Sequence, residues 1–213
     1  MSVKVCGKKR GNKMFTLIIK GGIIMIPILT CSVISITIIV ERMIFWFKQK
    51  QSITPEQLLS IASKGSIDDM TKEAKKVNHP VARVLLAGAL NRNPSASAAM
   101  EAAAMDEINR MKKFLPALDT IITLAPLLGL LGTIVGMIQS FDIISLTGLG
   151  QPHAVTGGVA EALIATAAGL IVAIFTLIPY NYFQSKVERV TEDMERYATK
   201  FEIILREQIL KHE

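Results

Sequence analysis

TIITLAPLLGLLGTIVGMIQSF, running from Thr120 to Phe141, contains no ionisable side chain. At 1.5 Å rise per residue, a helix of about 20 residues crosses a hydrocarbon core of roughly 30 Å. The composition of this one is lopsided. At about 100° per residue, Asp119, Pro126, Gly129, Thr133, Gly136 and Ser140 fall within roughly 50° of a common direction, interrupted by Ile122. ALIATAAGLIVAIFTLIPYNYFQS, Ala162 to Ser185, repeats the arrangement without charge, with Ala162, Thr166, Gly169, Ala173, Thr176 and Tyr180 on one face. The rest of both surfaces is mostly Ile, Leu, Val, Phe and Ala, which suits lipid. A side of small and hydroxyl residues is needed only where a helix faces protein or water.

A further uncharged run covers residues 21 to 40, so three segments reach bilayer length. Half the residues are hydrophobic, yet Lys and Arg number 24, which means that the apolar content is gathered in blocks. The fold class expected is an all-α integral membrane protein with three transmembrane helices and long cytoplasmic helical extensions. The net charge of +6 does not point to nucleic acid, because the basic residues flank the spans and do not interleave with aromatics. Cys6 and Cys31 stand apart and show neither a disulfide framework nor metal-ligand spacing. Lys8, Lys9, Arg10 and Lys13 ahead of an apolar run imitate a secretory signal, but the run is long and lacks a small-x-small cleavage site, so a retained anchor is expected. Thr30 before Cys31 fits a lipoprotein cleavage box poorly.

The connector from Asp142 to Gly158 has no Lys or Arg, whereas Arg110, Lys112 and Lys113 precede the hairpin and Lys186 and Arg189 follow it. The positive-inside rule puts the connector outside and both flanks in the cytoplasm. The boundaries expected are a basic tail over 1–20, spans over 21–47, 115–141 and 159–185, a cytoplasmic helical region over 48–114, a periplasmic connector over 142–158 and a cytoplasmic C-terminal helix over 186–213. Parity then places the N-terminus in the periplasm, although the first twenty residues carry six Lys or Arg that the same rule would keep inside.

Between the first two spans, Thr54-Pro55 and Asn93-Pro94 look like polar caps followed by first-turn prolines, with breaks at Lys64-Gly65 and Asn78-His79-Pro80. From Ser95 no breaker appears before Pro116, so a helix should feed into the second span, and Pro116 and Pro126 should bend it or be absorbed by packing. After the third span, Phe183, Val187, Val190, Met194, Tyr197, Phe201 and Ile204 alternate steps of four and three. This heptad seam serves either packing against the chain's own helices or subunit assembly. A continuous helix from Gly158 onward would extend roughly 80 Å.

Four residues could carry chemistry. Glu161 sits just inside two glycines at the outer edge of the third span, as an interfacial cap gaining from the helix dipole or as an acid at the mouth of an ion path. Asp119 reads as structural, pairing with Lys112, Lys113 or a neighbouring subunit. Thr133 and Thr166 lie nearer mid-membrane, each centred on a stripe; a hydroxyl both donates and accepts, so the pair can support a water wire or bond a partner's carboxyl without placing charge in hydrocarbon. Gly132 and Gly136 form a small-xxx-small spacing, as do Gly129 and Thr133. His79, His153 and His212 are scattered, no nucleophile has a positioned base and no phosphate-cradling loop occurs, so neither an enzyme nor a bound cofactor is expected.

The runs Ala125-Pro126-Leu127-Leu128-Gly129-Leu130-Leu131-Gly132-Thr133-Ile134-Val135-Gly136-Met137 and Glu161-Ala162-Leu163-Ile164-Ala165-Thr166-Ala167-Ala168-Gly169-Leu170, with Pro179-Tyr180-Asn181-Tyr182-Phe183, closely resemble the paired signatures of the MotA/TolQ/ExbB proton-channel family, in its TolQ and ExbB branch. The resemblance implies a homopentamer in the bacterial inner membrane, with Thr133 and Thr166 as pore threonines, Glu161 as the acid before the third span, and Gly129, Gly132, Gly136 and Gly169 in helix packing. It implies a TolR- or ExbD-like single-span partner whose membrane Asp takes and releases the proton, and a TonB- or TolA-like transducer that receives the work. The residues suit that division of labour: hydroxyls without a mid-membrane carboxylate need a partner to supply one. A competing reading makes the chain a non-conducting scaffold whose stripes only let helices pack. A small-solute transporter fits less well, since three spans without broken-helix repeats leave little room for a dedicated site.

Overall fold

The structure, a computed structural model, describes residues 22–49, 54–64, 67–92, 95–147 and 152–210, and within them every regular element is α-helical. These helices are α1 (Met25–Lys48), α2 (Pro55–Ser63), α3 (Ile67–Lys76), α4 (Pro80–Leu90), α5 (Ala96–Lys112), α6 (Leu115–Thr147) and α7 (Pro152–Leu210). Three of the apolar stretches are long enough to cross a membrane: Met25–Lys48, a window within Ala96–Asp142 and a window within Gly157–Glu207. The expected basic tail over 1–20 lies outside the described residues. The chain divides into two compact units, Met1–Ile39 with Ala117–Tyr180 and Val40–Pro116 with Asn181–Glu213.

The first unit carries the membrane-length helices. α1 buries Met25, Ile28, Cys31, Ser35 and Ile38, spaced by threes and fours so that one stripe faces inward. Its outward side, Ile26, Val33, Ile36 and others, is exposed and apolar, as lipid contact requires. Along α6 the buried positions are Leu118, Ile121, Ala125, Gly129, Gly132, Gly136 and Ser140, and along α7 they are Ala162, Ala165, Gly169, Ala173 and Thr176. Pro126 is absorbed within α6 and Pro179 within α7, so neither ends its helix.

The second unit is a helical body built from α2 to α5 and the distal half of α7. α2 opens at Thr54, whose amide donates to Gln57 Oε1 at 3.0 Å, with Pro55 in its first turn. His79 caps α4, its Nδ1 accepting from the Val81 amide at 3.2 Å. The cap expected at Asn93-Pro94 falls outside the described residues; α5 is instead capped by Ser95, whose Oγ accepts from the Ala98 amide at 3.2 Å. A Cβ on Gly88 of α4 would lie 2.6 Å from Met100 Cγ of α5 and 3.4 Å from Phe201 Cε1 of α7, so three helices converge there. Arg83 joins α4 to α5 through a two-pronged bond to Glu107, Nε to Oε1 at 2.6 Å, and its third nitrogen reaches Asn78 Oδ1 at 2.6 Å. The heptad seam of α7 is buried in the single chain at Phe183, Val187, Met194, Tyr197 and Phe201. It ends on buried Leu205, with Ile204 only half-buried, because seven residues fall short of two turns of a straight helix by about 20°, and the lag accumulates over three repeats.

Helix boundaries differ from expectation at three places. The continuous helix into the second span is broken, and the break falls at Lys113-Phe114, not at Pro116. Phe114 has φ +67°, and Pro116 sits in the first turn of α6, where its missing amide hydrogen leaves no bond unmade. The break is held by Arg42, only 2% exposed. Its Nη1 donates to the Arg110 and Met111 carbonyls at 3.1 and 3.3 Å, capping the end of α5, while its guanidinium lies 4.5 Å from the Phe45 ring centre. Helix also extends past the expected span limits, through 142–147 in α6 and from Pro152 in α7.

Candidate functional site

The candidate residues of the first unit meet along an antiparallel seam between α6 and α7. Successive contacts step in opposite directions along the two helices: a Cβ on Gly169 would overlap the Ala125 carbonyl oxygen, one on Gly129 would lie 2.9 Å from Thr166 Cα, and one on Gly136 would lie 2.9 Å from Ala162 Cβ. A Cβ on Gly132 would lie 2.7 Å from Ala165 Cβ, and one on Gly158 would overlap Ser140 Oγ. All are closer than real side chains tolerate, so small residues are a steric requirement of the seam. Of the stripe of α7 read from sequence, Ala162, Thr166 and Gly169 meet α6 in this seam, and Ala173 and Thr176 are buried farther along the helix.

The stripe of α6 does so only in part. Asp119, Pro126, Thr133 and Ser140 recur every seven residues, and such a line drifts by about 20° per repeat across a straight helix. The structure shows the drift: Asp119 is exposed, Pro126 and Thr133 are half-buried and Ser140 is buried. The side of α6 that carries Thr133 is therefore the flank of the seam. The floor is formed by Ala125, Gly129, Gly132 and Gly136.

The hydroxyls divide in the same way. Ser140 Oγ donates to the Gly136 carbonyl at 2.8 Å and Thr176 Oγ1 to the Val172 carbonyl at 2.7 Å, each within its own helix. Thr133 Oγ1 also donates to its own helix, at the Leu130 carbonyl, 2.7 Å away. Thr166 differs, because its Oγ1 crosses to the Gly129 carbonyl of α6 at 2.8 Å. In an α-helix that carbonyl also takes the amide of the residue four positions on, which is Thr133. One peptide oxygen thus joins the two threonines. Because both hydroxyl protons are committed to carbonyls, each threonine has lone pairs left to accept a proton donor, such as water or a protonated carboxyl.

Glu161 stands elsewhere than its sequence position suggested. α7 begins at Pro152, so Glu161 lies in the third turn, beyond the reach of its own helix dipole, which fades within the first turn. The helix terminus beside it belongs to α1. Its carboxyl lies against Gly22, where a Cβ would overlap Oε1 and sit 3.1 Å from Cδ. Asp119 is exposed in the second turn of α6, and its carbonyl accepts from Thr123 Oγ1 at 3.4 Å.

Sequence reading passed over two of these participants. Gly22 carries no chemistry of its own and shows its part only through what lies over it. Arg42 had a signal, since Glu41-Arg42 is the first charged pair after an uncharged run of bilayer length. Among the described residues no group of three or more His, Cys, Asp or Glu is placed to hold a metal ion.

Residues 71–196 match the family described as the MotA/TolQ/ExbB proton channel family. The chain is 36% identical to the biopolymer transport protein ExbB-like 1 of Synechocystis, over 89% of this chain and 78% of that protein. It is 31% identical to the Tol-Pal system protein TolQ of Haemophilus influenzae, over 63% of this chain and 56% of that protein. With the biopolymer transport protein ExbB of Neisseria gonorrhoeae it shares 37% identity over 41% of each. By their names these relatives serve transport and the Tol-Pal system; none is described as an enzyme.

Proposed function

The chain belongs to the MotA/TolQ/ExbB proton channel family, and on that premise we propose that it is the channel subunit of a proton-driven stator in the bacterial inner membrane. Membership and the three membrane-length helices make it a multi-pass membrane protein of the energy-transducing type. In the proposal it assembles as a homopentamer with the N-terminus in the periplasm and the C-terminus in the cytoplasm. It holds the span of a TolR- or ExbD-like partner and passes work to a TonB- or TolA-like protein. Protons are the transported ion, and no cofactor takes part.

The observation that carries the reading is the Gly129 carbonyl joined to both Thr133 and Thr166. This arrangement offers hydroxyl acceptors on a rigid backbone without a charge, which at mid-membrane would cost about 2.5–3.5 kcal/mol. A protonated partner carboxyl could donate to such a hydroxyl and be released on deprotonation. One charge crossing 100 mV yields about 2.3 kcal/mol, so repeated transfers at equivalent sites of a ring suit mechanical output.

The test is proton flux in vesicles carrying the chain with its partner, compared with the Thr133→Ala, Thr166→Ala double variant. Flux should collapse while the complex stays assembled. The tight seam favours a second reading, the non-conducting scaffold, which expects Thr→Val at both positions to leave partner-dependent work intact and a bulky residue at Gly132 or Gly136 to abolish assembly. Undiminished flux in the double alanine variant would defeat the threonine path, and the Thr→Val and glycine variants then test the scaffold.

A further inference from the structure

At the head of α1, Gly22 has φ +67°, the left-handed region in which an L side chain is strained. Its carbonyl accepts from the Met25 amide at 3.1 Å, and the Ile23 carbonyl accepts from Ile26 at 3.2 Å, so this turn starts the helix. The bare α-carbon of the turn faces α7. A side chain there would overlap Glu161 Oε1, lie 3.1 Å from Cδ and come within 3.5 Å of Cγ. The Glu161 side chain therefore lies along the space that any other residue at position 22 would fill. At the same place the opening amides of α1 lack carbonyls one turn earlier, and the positive end of the helix dipole favours a carboxylate. Glycine at 22 thus meets two demands at once, a left-handed turn and room for an acid from another helix.

We propose that Gly22 is a positioning residue for Glu161: the side-chain-free turn at the head of α1 is the seat in which that carboxyl is held, so α1 sets where the acid stands at the mouth of the ion path. The seat deepens the proton-channel reading and rests on it for its consequence in flux, though not for its geometry.

The experiment pairs Gly22→Asn with Glu161→Asp in the full chain with its partner in nanodiscs, reading melting temperature and, in vesicles, partner-dependent proton flux. Asparagine tolerates φ above zero better than other side chains do, so its penalty comes mainly from the added atoms meeting Glu161. Aspartate is one methylene shorter and withdraws the carboxyl from the seat. Gly22→Asn alone should lower flux about tenfold, the size expected when residues in direct contact are uncoupled. In a Glu161→Asp background the same change should cost less than half as much in both readouts. Independent, multiplying effects would overturn the seat. If Gly22→Asn alone does not assemble, assembly regained in Gly22→Asn with Glu161→Ala supports the seat, and continued failure overturns it. Coupled melting temperatures without any wild-type flux would uphold the seat and sink the proton reading; flux without coupling would do the reverse.

Discussion

Gly169→Ala and Thr166→Val strike adjacent turns of α7 with different physics, and their ranking tests whether the α6–α7 seam is set by sterics. The methyl group added at position 169 would overlap the Ala125 carbonyl oxygen, 3.2 Å from that carbonyl's carbon and 3.3 Å from Gly129 Cα. All three are helix backbone, which cannot rotate aside as a side chain can. The helices must part, and overpacking of this kind costs about 1–3 kcal/mol. Parting also stretches the 2.8 Å bond from Thr166 to Gly129. Thr166→Val removes that bond directly but keeps the shape, and Gly129 O retains its helical amide, so no acceptor is orphaned. Hydrogen bonds between membrane helices average about 0.6 kcal/mol. At about 2–4 °C per kcal/mol for a chain of this size, Gly169→Ala should lower Tm by roughly 2–12 °C and Thr166→Val by roughly 1–2 °C. Cys31, buried in α1, supplies the probe: in a Cys6→Ser background, its reaction with a thiol dye during heating follows the opening of this unit. Flux should rank the other way, with Thr166→Val losing conduction while nearly as stable as wild type. A larger loss of Tm in Thr166→Val than in Gly169→Ala would refute the steric account of the seam.

Two further predictions concern the second unit. Burial first, and the Arg83 charge second, hold the His79 imidazole below its ordinary value of 6.5, while Asp193 and Glu107 pull the other way. The neutral ring is the native form, accepting the Val81 amide, so its contribution is complete above 6.5 and declines as pH falls toward the lowered value. Stability should fall on acidification below that point, and His79→Asn, a cap that does not titrate, should flatten the slope; an unchanged slope would remove His79 from the explanation. Arg42→Met keeps the buried stem but leaves the Arg110 and Met111 carbonyls without the guanidinium, at a cost of about 1–3 kcal/mol. Hydrogen exchange in the last turn of α5 should accelerate relative to α4, and equal protection would show that Arg42 does not hold that end.

What could be read from residues alone was whatever depends on one helix at a time. The uncharged runs announced the membrane-length helices, Thr54 with its proline marked a helix start and Asn78-His79-Pro80 marked a break, because length, capping and breaking are local properties. The glycines of α6 and α7 announced close approach without naming their partners. Angular bookkeeping on a single helix then placed Thr133 at the centre of a stripe, although the buried face is centred on Ala125, Gly129 and Gly132. A difference of one position is about 100° of rotation, and only the opposing helix shows which residue points at it. The same holds for Phe114, whose left-handed turn lies beside the guanidinium of Arg42, some 70 positions earlier in the chain, and for Gly22, whose role exists only because Glu161 lies over it.

The rotation also bears on how one hairpin can serve both packing and conduction. If the whole stripe of α6 were buried against α7, its hydroxyls would be spent on structure and the scaffold reading would follow. The seam instead takes Gly129, Gly136 and Ser140 and leaves Thr133 half-buried on its flank, with Pro126 and exposed Asp119 below it on the same drifting line. Packing fixes Thr166 through Gly129 O, and the helical bond from Thr133 to that same oxygen carries the positional constraint to the flank. A rigid glycine seam is in this view what makes the threonine flank usable: a partner carboxyl meeting Thr133 would find an acceptor held by backbone on both sides, without the reorganisation that a mobile side chain would require.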